Sequence, residues 1–179
     1  MNYVIVDLEA TCWENDSITS EMEIIEIGAV LLDGKSYQPF SDFELFVRPI
    51  INPELSEFCT KLTNIRQDQI DEAPNYPEAF KLFMQWTDGE PFKLCSWGQF
   101  DYDLFIVENI RNNLKFPSEF MGHINLKELY ARAFNAKPGI GLRSALHKQS
   151  MTFQGSPHRG IDDARNTARI AMLILVLDY

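Results

Sequence analysis

The sequence has few cysteines and lacks a hydrophobic run long enough to cross a membrane. Its longest apolar run lies near residues 170–177, well short of the roughly 20 residues that a spanning helix needs. The three cysteines, Cys12, Cys59 and Cys95, are widely spaced and form no C-x-x-C pair. This spacing argues against a disulfide framework or a zinc site, and it is typical of reduced thiols in a cytoplasmic protein.

Basic residues are also scarce, with 16 Lys and Arg against 26 Asp and Glu and a formal net charge of −10. Such a balance argues against a protein that coats nucleic acid through a broad basic surface. It is compatible with an enzyme that grips a few nucleotides, because bound divalent ions make the local field far less negative. No basic region precedes the first apolar run, so we expect no signal peptide.

The length of 179 residues and the hydrophobic content of 45% are typical of one globular domain, which we place at residues 1–179. Patterning predicts strands at 2–8, 23–32, 42–48, 92–97 and 121–125. It predicts helices at 53–61, 77–86, 100–114, 126–134, 142–148 and 161–177, a loop at 9–22 and an irregular segment at 62–74. The first three strands are joined by connections too short for crossover helices, which favours an antiparallel arrangement.

Two acids, Asp7 and Glu9, end the first predicted strand. Residues two apart in a strand point to the same face, so these carboxylates lie about 7 Å apart on one side. Two neighbouring carboxylates repel each other unless a cation lies between them, and a hard divalent ion suits oxygen ligands. The alternative for this pair alone is a strand that ends in solvated acids.

Further acids occur at the predicted starts of two helices. Asp101 follows the fourth strand, where its alternative role is a helix cap. Asp162 and Asp163 enter the last helix, and successive helical residues point about 100° apart, so both cannot serve one site equally. His158 stands before this helix and can reach over the same cleft; a structural histidine is the alternative.

These motifs resemble the DEDD superfamily of 3′→5′ exonucleases, in its His-containing, DnaQ-like branch. The resemblance rests on Asp7-x-Glu9, Phe100-Asp101 and His158-x(4)-Asp163, and it covers nearly the whole chain. The sequence is most similar to the Eri-type exoribonuclease subfamily. The segments that carry this similarity are DLEATCW at 7–13, FCTKLTNI at 58–65 and HRGIDDARN at 158–166.

The resemblance implies an α/β, ribonuclease-H-like fold with a five-stranded mixed sheet flanked by helices on both faces. It implies two divalent cations, Mg²⁺ or Mn²⁺, held by Asp7, Glu9, Asp101 and Asp163. His158 is then the general base for the attacking water. The implied reaction is 3′→5′ hydrolysis of RNA from a free 3′ end to nucleoside 5′-monophosphates.

The resemblance also implies substrate contacts. Backbone groups at Ala10 and Thr11 are expected near the terminal sugar. Phe58 and Phe100 are candidates to stack on terminal bases, with core packing as the alternative. Candidates for phosphate contact, each alternatively a solvated surface charge, are Arg159, Arg143 and Lys148.

Two departures from the family pattern are Trp97-Gly98, where many relatives have His-Asn, and Asn125, where an Asp is frequent. They bear on residues around the metal ligands rather than on the ligands. Two other functions stay open: a single-stranded DNA or mixed-specificity 3′→5′ exonuclease, and a catalytically silent nucleic-acid-binding module. The latter is disfavoured because no expected acid or His is missing. No protein partner can be read from the sequence.

Overall fold

A five-stranded mixed sheet forms the centre of the protein in this computed structural model, which describes residues 1–14 and 21–177. The strand order is β3-β2-β1-β4-β5. The strands are β1 (Asn2–Ala10), β2 (Ile24–Leu32), β3 (Pro39–Phe46), β4 (Phe92–Ser96) and β5 (Phe120–Asn125). Strand β2 is antiparallel to β1 and β3, whereas β4 is parallel to β1 and β5. The predicted mixed sheet and its antiparallel first three strands are confirmed.

Seven helices cover the sheet in the described part of the chain. They are α1 (Glu57–Thr63), α2 (Gln67–Asp71), α3 (Tyr76–Trp86), α4 (Phe100–Arg111), α5 (Leu126–Ala133), α6 (Leu142–Lys148) and α7 (Gly160–Leu175). Helices α5, α6 and α7 pack on one face of β1, and α3 and α4 pack on the other. The predicted α/β fold with helices on both faces is therefore confirmed.

Several predicted boundaries are wrong by a few residues. Helix α1 begins only after Ser56, because the Ser56 hydroxyl accepts the Cys59 N–H at 3.0 Å and so caps the helix. Helix α2 lies within the segment predicted to be irregular, where Gln69 caps it by accepting the Arg66 N–H. The predicted loop at 9–22 is shorter at its start, since β1 continues to Ala10; its residues 15–20 lie outside the described chain.

Strand β1 is the central strand, and its side chains alternate between the two faces. Tyr3 and Ile5 pack against α5–α7, whereas Val4 and Val6 pack against α3 and α4. Both faces are buried, which explains why the strand is nearly continuously apolar. Since side chains two apart share a face, Asp7 continues the series of Tyr3 and Ile5 toward α7.

The start of α7 lies directly on the first two strands. A Cβ on Gly28 of β2 would collide with the backbone of Gly160 and Ile161. A Cβ on Gly160 would lie 3.0 Å from the Asp7 carbonyl oxygen. Glycine at both positions therefore permits a backbone-to-backbone approach that brings the first turn of α7 to the end of β1.

Candidate active site

A cleft of about 330 Å³ lies where β1 ends and where α4, α6 and α7 begin. All four acids and the histidine predicted from the sequence lie in it. Its lining residues are Asp7, Leu8, Glu9, Trp97, Phe100, Asp101, Leu142, His158 and Asp163. Residues from four separate parts of the chain thus converge on one concave surface, as expected of a binding or catalytic site.

Three of the acids form a compact oxygen cluster. Asp7, Glu9 and Asp163 each offer a carboxylate oxygen, and these atoms lie within 4.8 Å of one another. Glu9 is buried and Asp7 and Asp163 are partly buried. A set made only of carboxylate oxygens fits a hard divalent cation such as Mg²⁺ or Mn²⁺ better than a soft metal.

Asp101 reaches the same place from α4. Its Oδ1 accepts the Leu8 backbone N–H at 3.0 Å, and the pair is buried. This bond ties the first turn of α4 to β1 between the two acids of the strand. The carboxylate therefore bonds across to another element, and the helix-cap alternative does not describe its contact.

The electrostatics of the cluster favour a bound cation. Burial, with repulsion from Asp101 and Asp163, raises the pKa of Asp7 well above its usual value. Burial and the Glu26 charge raise the pKa of Glu9 to about 8. Burial also raises the pKa of Asp101 to about 6. These carboxylates repel one another, and a divalent ion that binds between them supplies compensating positive charge.

The loop before α7 presents His158 in a left-handed backbone conformation with φ of 59°. The His158 backbone N–H donates to Asp163 Oδ2 at 2.7 Å. The neighbouring acid turns elsewhere: Asp162 Oδ2 accepts the Ser156 N–H at 2.8 Å, and its Oδ1 lies 3.5 Å from Arg165. Asp163 thus faces the cleft, whereas Asp162 secures the loop that carries the histidine.

The aromatic candidates for base stacking are accessible. Phe100 lines the cleft and is 45% exposed, and Phe58 on α1 is 37% exposed. Thr11 is buried and forms two hydrogen bonds with the backbone of Glu23. Its N–H donates to the Glu23 carbonyl at 2.9 Å, and its hydroxyl accepts the Glu23 N–H at 3.0 Å. The Ala10 carbonyl accepts the Cys59 thiol at 3.5 Å.

The basic candidates lie in different surroundings. Arg159 is outside the cleft lining and forms ion pairs with Glu26 at 3.2 Å and Glu44 at 2.7 Å. Arg143 lies beside the cleft residue Leu142, and its positive charge opposes the rise in the pKa of Asp163. Lys148 lies in the last turn of α6. Of these three candidates, Arg143 therefore has a charge that favours the ionised form of a cleft acid.

Sequence reasoning assigned no role to three residues at this site, although it noted Trp97 as a departure from the family pattern. Trp97 and Leu142 line the cleft, and the Trp97 indole N–H donates to the Ile140 carbonyl at 3.1 Å. The charge of Lys127 on α5 lowers the pKa of Asp101. No local motif marks Leu142 or Lys127, which tertiary packing brings to the site. Asn125, noted as a departure, caps α5 by accepting the Glu128 N–H at 3.3 Å.

Comparison with known proteins places this fold among ribonuclease-H-like exonucleases. The model of the exonuclease (RNase_T) family matches residues 4–171, so the chain belongs to this family. The solved nuclease domain of 3′hExo, a DEDDh family member bound to rAMP, is 33% identical with a TM-score of 0.90. The match covers 99% of this chain and 92% of that one.

Similar proteins include 3′-5′ exoribonuclease 1 of Rattus norvegicus, 36% identical over 96% of this chain and 52% of that protein. ERI1 exoribonuclease 2 of Danio rerio is also 36% identical, over 96% of this chain and 34% of that protein. The chain therefore spans about half the length, or less, of these relatives. In the described residues, no helix is both long and apolar enough to cross a membrane.

Proposed function

We propose that residues 1–179 are a single exonuclease domain that hydrolyses RNA from a free 3′ end and releases nucleoside 5′-monophosphates. The observation that carries this proposal is the cluster of Asp7, Glu9 and Asp163, with carboxylate oxygens within 4.8 Å of one another. It lies in a cleft that His158 also lines. Relatives similar over most of the chain are named 3′-5′ exoribonucleases.

Asp7, Glu9, Asp101 and Asp163 are the residues that would hold two divalent cations, Mg²⁺ or Mn²⁺. Such ions stabilise the attacking and leaving oxygens of an in-line displacement. The protein positions the ligands from three directions: β1 supplies two acids, α4 supplies Asp101, and the first turn of α7 supplies Asp163. The hydrogen bond from Leu8 to Asp101 keeps two of these elements in register.

His158 is proposed to take the proton from the attacking water. His158 belongs to the cleft lining, and its backbone N–H donates to Asp163 at 2.7 Å. This hydrogen bond therefore connects His158, the proposed general base, to Asp163, a proposed metal ligand. General-base catalysis of this kind contributes about 10²–10⁴-fold to a rate.

Recognition of the 3′ end is proposed to combine stacking with backbone contacts. Phe100 and Phe58 expose enough ring surface to stack on bases, a contact worth about 1–3 kcal/mol per base and tolerant of sequence. Ala10, the last residue of β1, and Thr11, which follows it, are the proposed backbone contacts to the terminal sugar. Arg143 is the preferred phosphate contact, because Arg159 is bound to two acids.

RNA is the preferred substrate, and single-stranded DNA is the alternative. One solved relative is described as bound to rAMP and another as recognising the 3′ end of a histone mRNA stem-loop; the second is 32% identical with a TM-score of 0.89. The same four acids would also support the hydrolysis of DNA, so RNA and DNA must be compared directly as substrates. The three cysteines are free, which supports a reducing compartment such as the cytoplasm.

The test is digestion of matched single-stranded RNA and DNA, labelled at the 5′ end, with products resolved by length. In Mg²⁺ or Mn²⁺ we expect RNA to shorten stepwise from the 3′ end and DNA to shorten more slowly. EDTA, or a 3′-terminal phosphate that blocks the end, should stop the reaction. Activity that is unaffected by EDTA or by the blocked end would contradict the proposal. Faster digestion of DNA would establish the alternative substrate.

A further inference from the structure

Glu26 on β2 is a fully buried acid that none of the roles above includes. It pairs with Glu9 in the β1–β2 ladder, so it lies next to a proposed metal ligand. Burying a carboxylate is costly unless charged and hydrogen-bonding partners compensate it. The hydrogen-bond and charge partners of this side chain therefore show how its burial is compensated.

In the described part of the chain, the hydrogen bonds of the Glu26 carboxylate all lead to the point where α7 begins. Its Oε2 accepts the Gly160 backbone N–H at 3.1 Å and the Arg159 Nε–H at 3.2 Å. Its Oε1 accepts an Arg159 Nη2–H at 3.3 Å. A two-pronged guanidinium contact and a helix N–H together compensate the buried charge, and they join β2 to the helix.

Arg159 extends this connection to the next strand. Its Nη2 lies 2.7 Å from Glu44 on β3, and its guanidinium carbon lies 5.2 Å from the centre of the Phe46 ring. The Arg159 side chain is only 21% exposed. It therefore links two strands to the start of α7 and is poorly available to a nucleic-acid phosphate.

The start of α7 is also where small displacements affect the cleft. Gly160 lies two residues after His158 and three before Asp163. A Cβ on Gly160 would already lie 3.0 Å from the Asp7 carbonyl oxygen and 3.2 Å from the Gly28 nitrogen. Because the helix is stiff, a shift of Gly160 moves Asp163 relative to Asp7.

We infer that Glu26 is a positioning residue for the proposed reaction. Its carboxylate, bound to Arg159 and to the Gly160 N–H, holds the first turn of α7 where Asp163 and His158 meet the acids of β1. This inference rests on the proposed function. Glu26 is outside the cleft lining, so its hydrogen bonds act on the reaction through Asp163 and His158, and its charge acts on the neighbouring Glu9.

The expected result of Glu26→Ala is a fall in kcat of about 10–100-fold, the range typical of residues that orient metal ligands. KM for a short RNA should change less than about threefold, because no cleft residue is removed. Mn²⁺ affinity, measured by calorimetry without substrate, should weaken by about tenfold. Glu26→Gln should recover part of kcat, because its amide oxygen still accepts the Gly160 N–H.

The matched control is Ile174→Ala, which removes a buried side chain from the other end of the same helix. It should lower the melting temperature yet keep kcat and Mn²⁺ affinity within about twofold of wild type, because Ile174 lies 11 residues after Asp163 and does not line the cleft. If Glu26→Ala loses no more kcat and Mn²⁺ affinity than this control at equal melting temperature, Glu26 is only structural and the inference fails. A raised KM with unchanged kcat would also overturn it.

If Glu26→Ala does not fold, Arg159→Lys tests the positioning role of Glu26 instead. Lysine keeps the charge but loses the two-pronged contact, so kcat should fall about tenfold with an unchanged circular dichroism spectrum. Wild-type kcat in this variant would overturn the inference. An inactive wild type would contradict the proposed function alone, since the Mn²⁺ calorimetry of Glu26→Ala tests the positioning role without turnover.

Discussion

The two ends of α7 are built from different chemistry. Its C-terminal half packs on the sheet through small and branched apolar residues, among them Ala168, Ala171 and Ile174, all buried. Its N-terminal turn instead meets the sheet through glycine backbone, a buried ion pair and an aspartate that faces the cleft. One helix thus combines an apolar anchor with a polar end that carries the proposed chemistry.

Within this one helix, the C-terminal half therefore contributes mainly to stability, whereas the N-terminal turn contributes to the proposed activity. Apolar packing is non-directional and tolerates small shifts. The polar end depends on distances between charged groups, which small shifts change greatly. Substitutions at the two ends should therefore affect different observables.

The largest effect is expected from Asp163→Asn at the polar end. The change removes one of three clustered carboxylates, so metal-dependent cleavage should fall below detection. The matched control is Asp162→Asn, which alters the adjacent acid that binds Ser156 and should keep most of the activity. Single-turnover RNA cleavage measures both, and equal losses would show that the two acids have been assigned the wrong roles.

His158→Asn should have the next largest effect. Asparagine tolerates the left-handed backbone conformation at this position better than alanine does, so the loop should keep its shape. The proton acceptor is lost, and the single-turnover rate should fall about 10²–10⁴-fold. Mn²⁺ binding by calorimetry should persist, because the four carboxylates remain. Loss of metal binding, or a wild-type rate, would refute the base assignment.

The stability of the metal-free protein should decrease as the pH rises from about 5 to 8. The pKa values of Glu9, about 8, and Asp101, about 6, are raised in the folded state. A group with a raised folded pKa stabilises the fold below its unfolded pKa, and this contribution is lost as the pH rises through the folded pKa. Melting curves with and without Mg²⁺ should therefore diverge most at pH 8. A metal-induced shift that is largest at pH 5 would contradict the assigned electrostatics.

The smallest effect on activity is expected at the apolar end. Ile174→Ala should cost about 2–5 kcal/mol in the free energy of unfolding, the usual range for such a truncation in a core. Cleavage measured well below the melting temperature should stay within about twofold of wild type. Denaturant unfolding gives the first quantity. A large loss of rate in a folded variant would show that the two ends of α7 are coupled.

The features that follow local sequence patterns were the more predictable. Helix α6 has the predicted bounds of 142 and 148, and strand alternation correctly placed Asp7 and Glu9 on one face. These features depend on local periodicity, which the sequence carries. The acids at the helix starts were found through the resemblance to a family, since each of them alone fits a cap.

The remaining features depend on contacts between distant segments. Glu26 stands in a nearly continuous apolar strand, and nothing local indicates that it binds Arg159 and Gly160 across the sheet. The Leu8–Asp101 hydrogen bond and the position of Trp97 in the cleft likewise arise from packing. Arg159 was predicted as a candidate phosphate contact, with a solvated surface charge as the alternative, whereas its guanidinium is bound to Glu26 and Glu44.

The most direct test of the account is a calorimetric titration of Mn²⁺ into the wild-type protein and Asp163→Asn, with and without adenosine 5′-monophosphate as a product analogue. We expect the wild type to bind two ions per chain with the nucleotide present, and Asp163→Asn to lose this binding. The same experiment on Asp162→Asn should resemble wild type. Wild-type protein that binds no Mn²⁺, or binding that is unchanged in Asp163→Asn, would contradict the assignment of the cleft as a two-cation site.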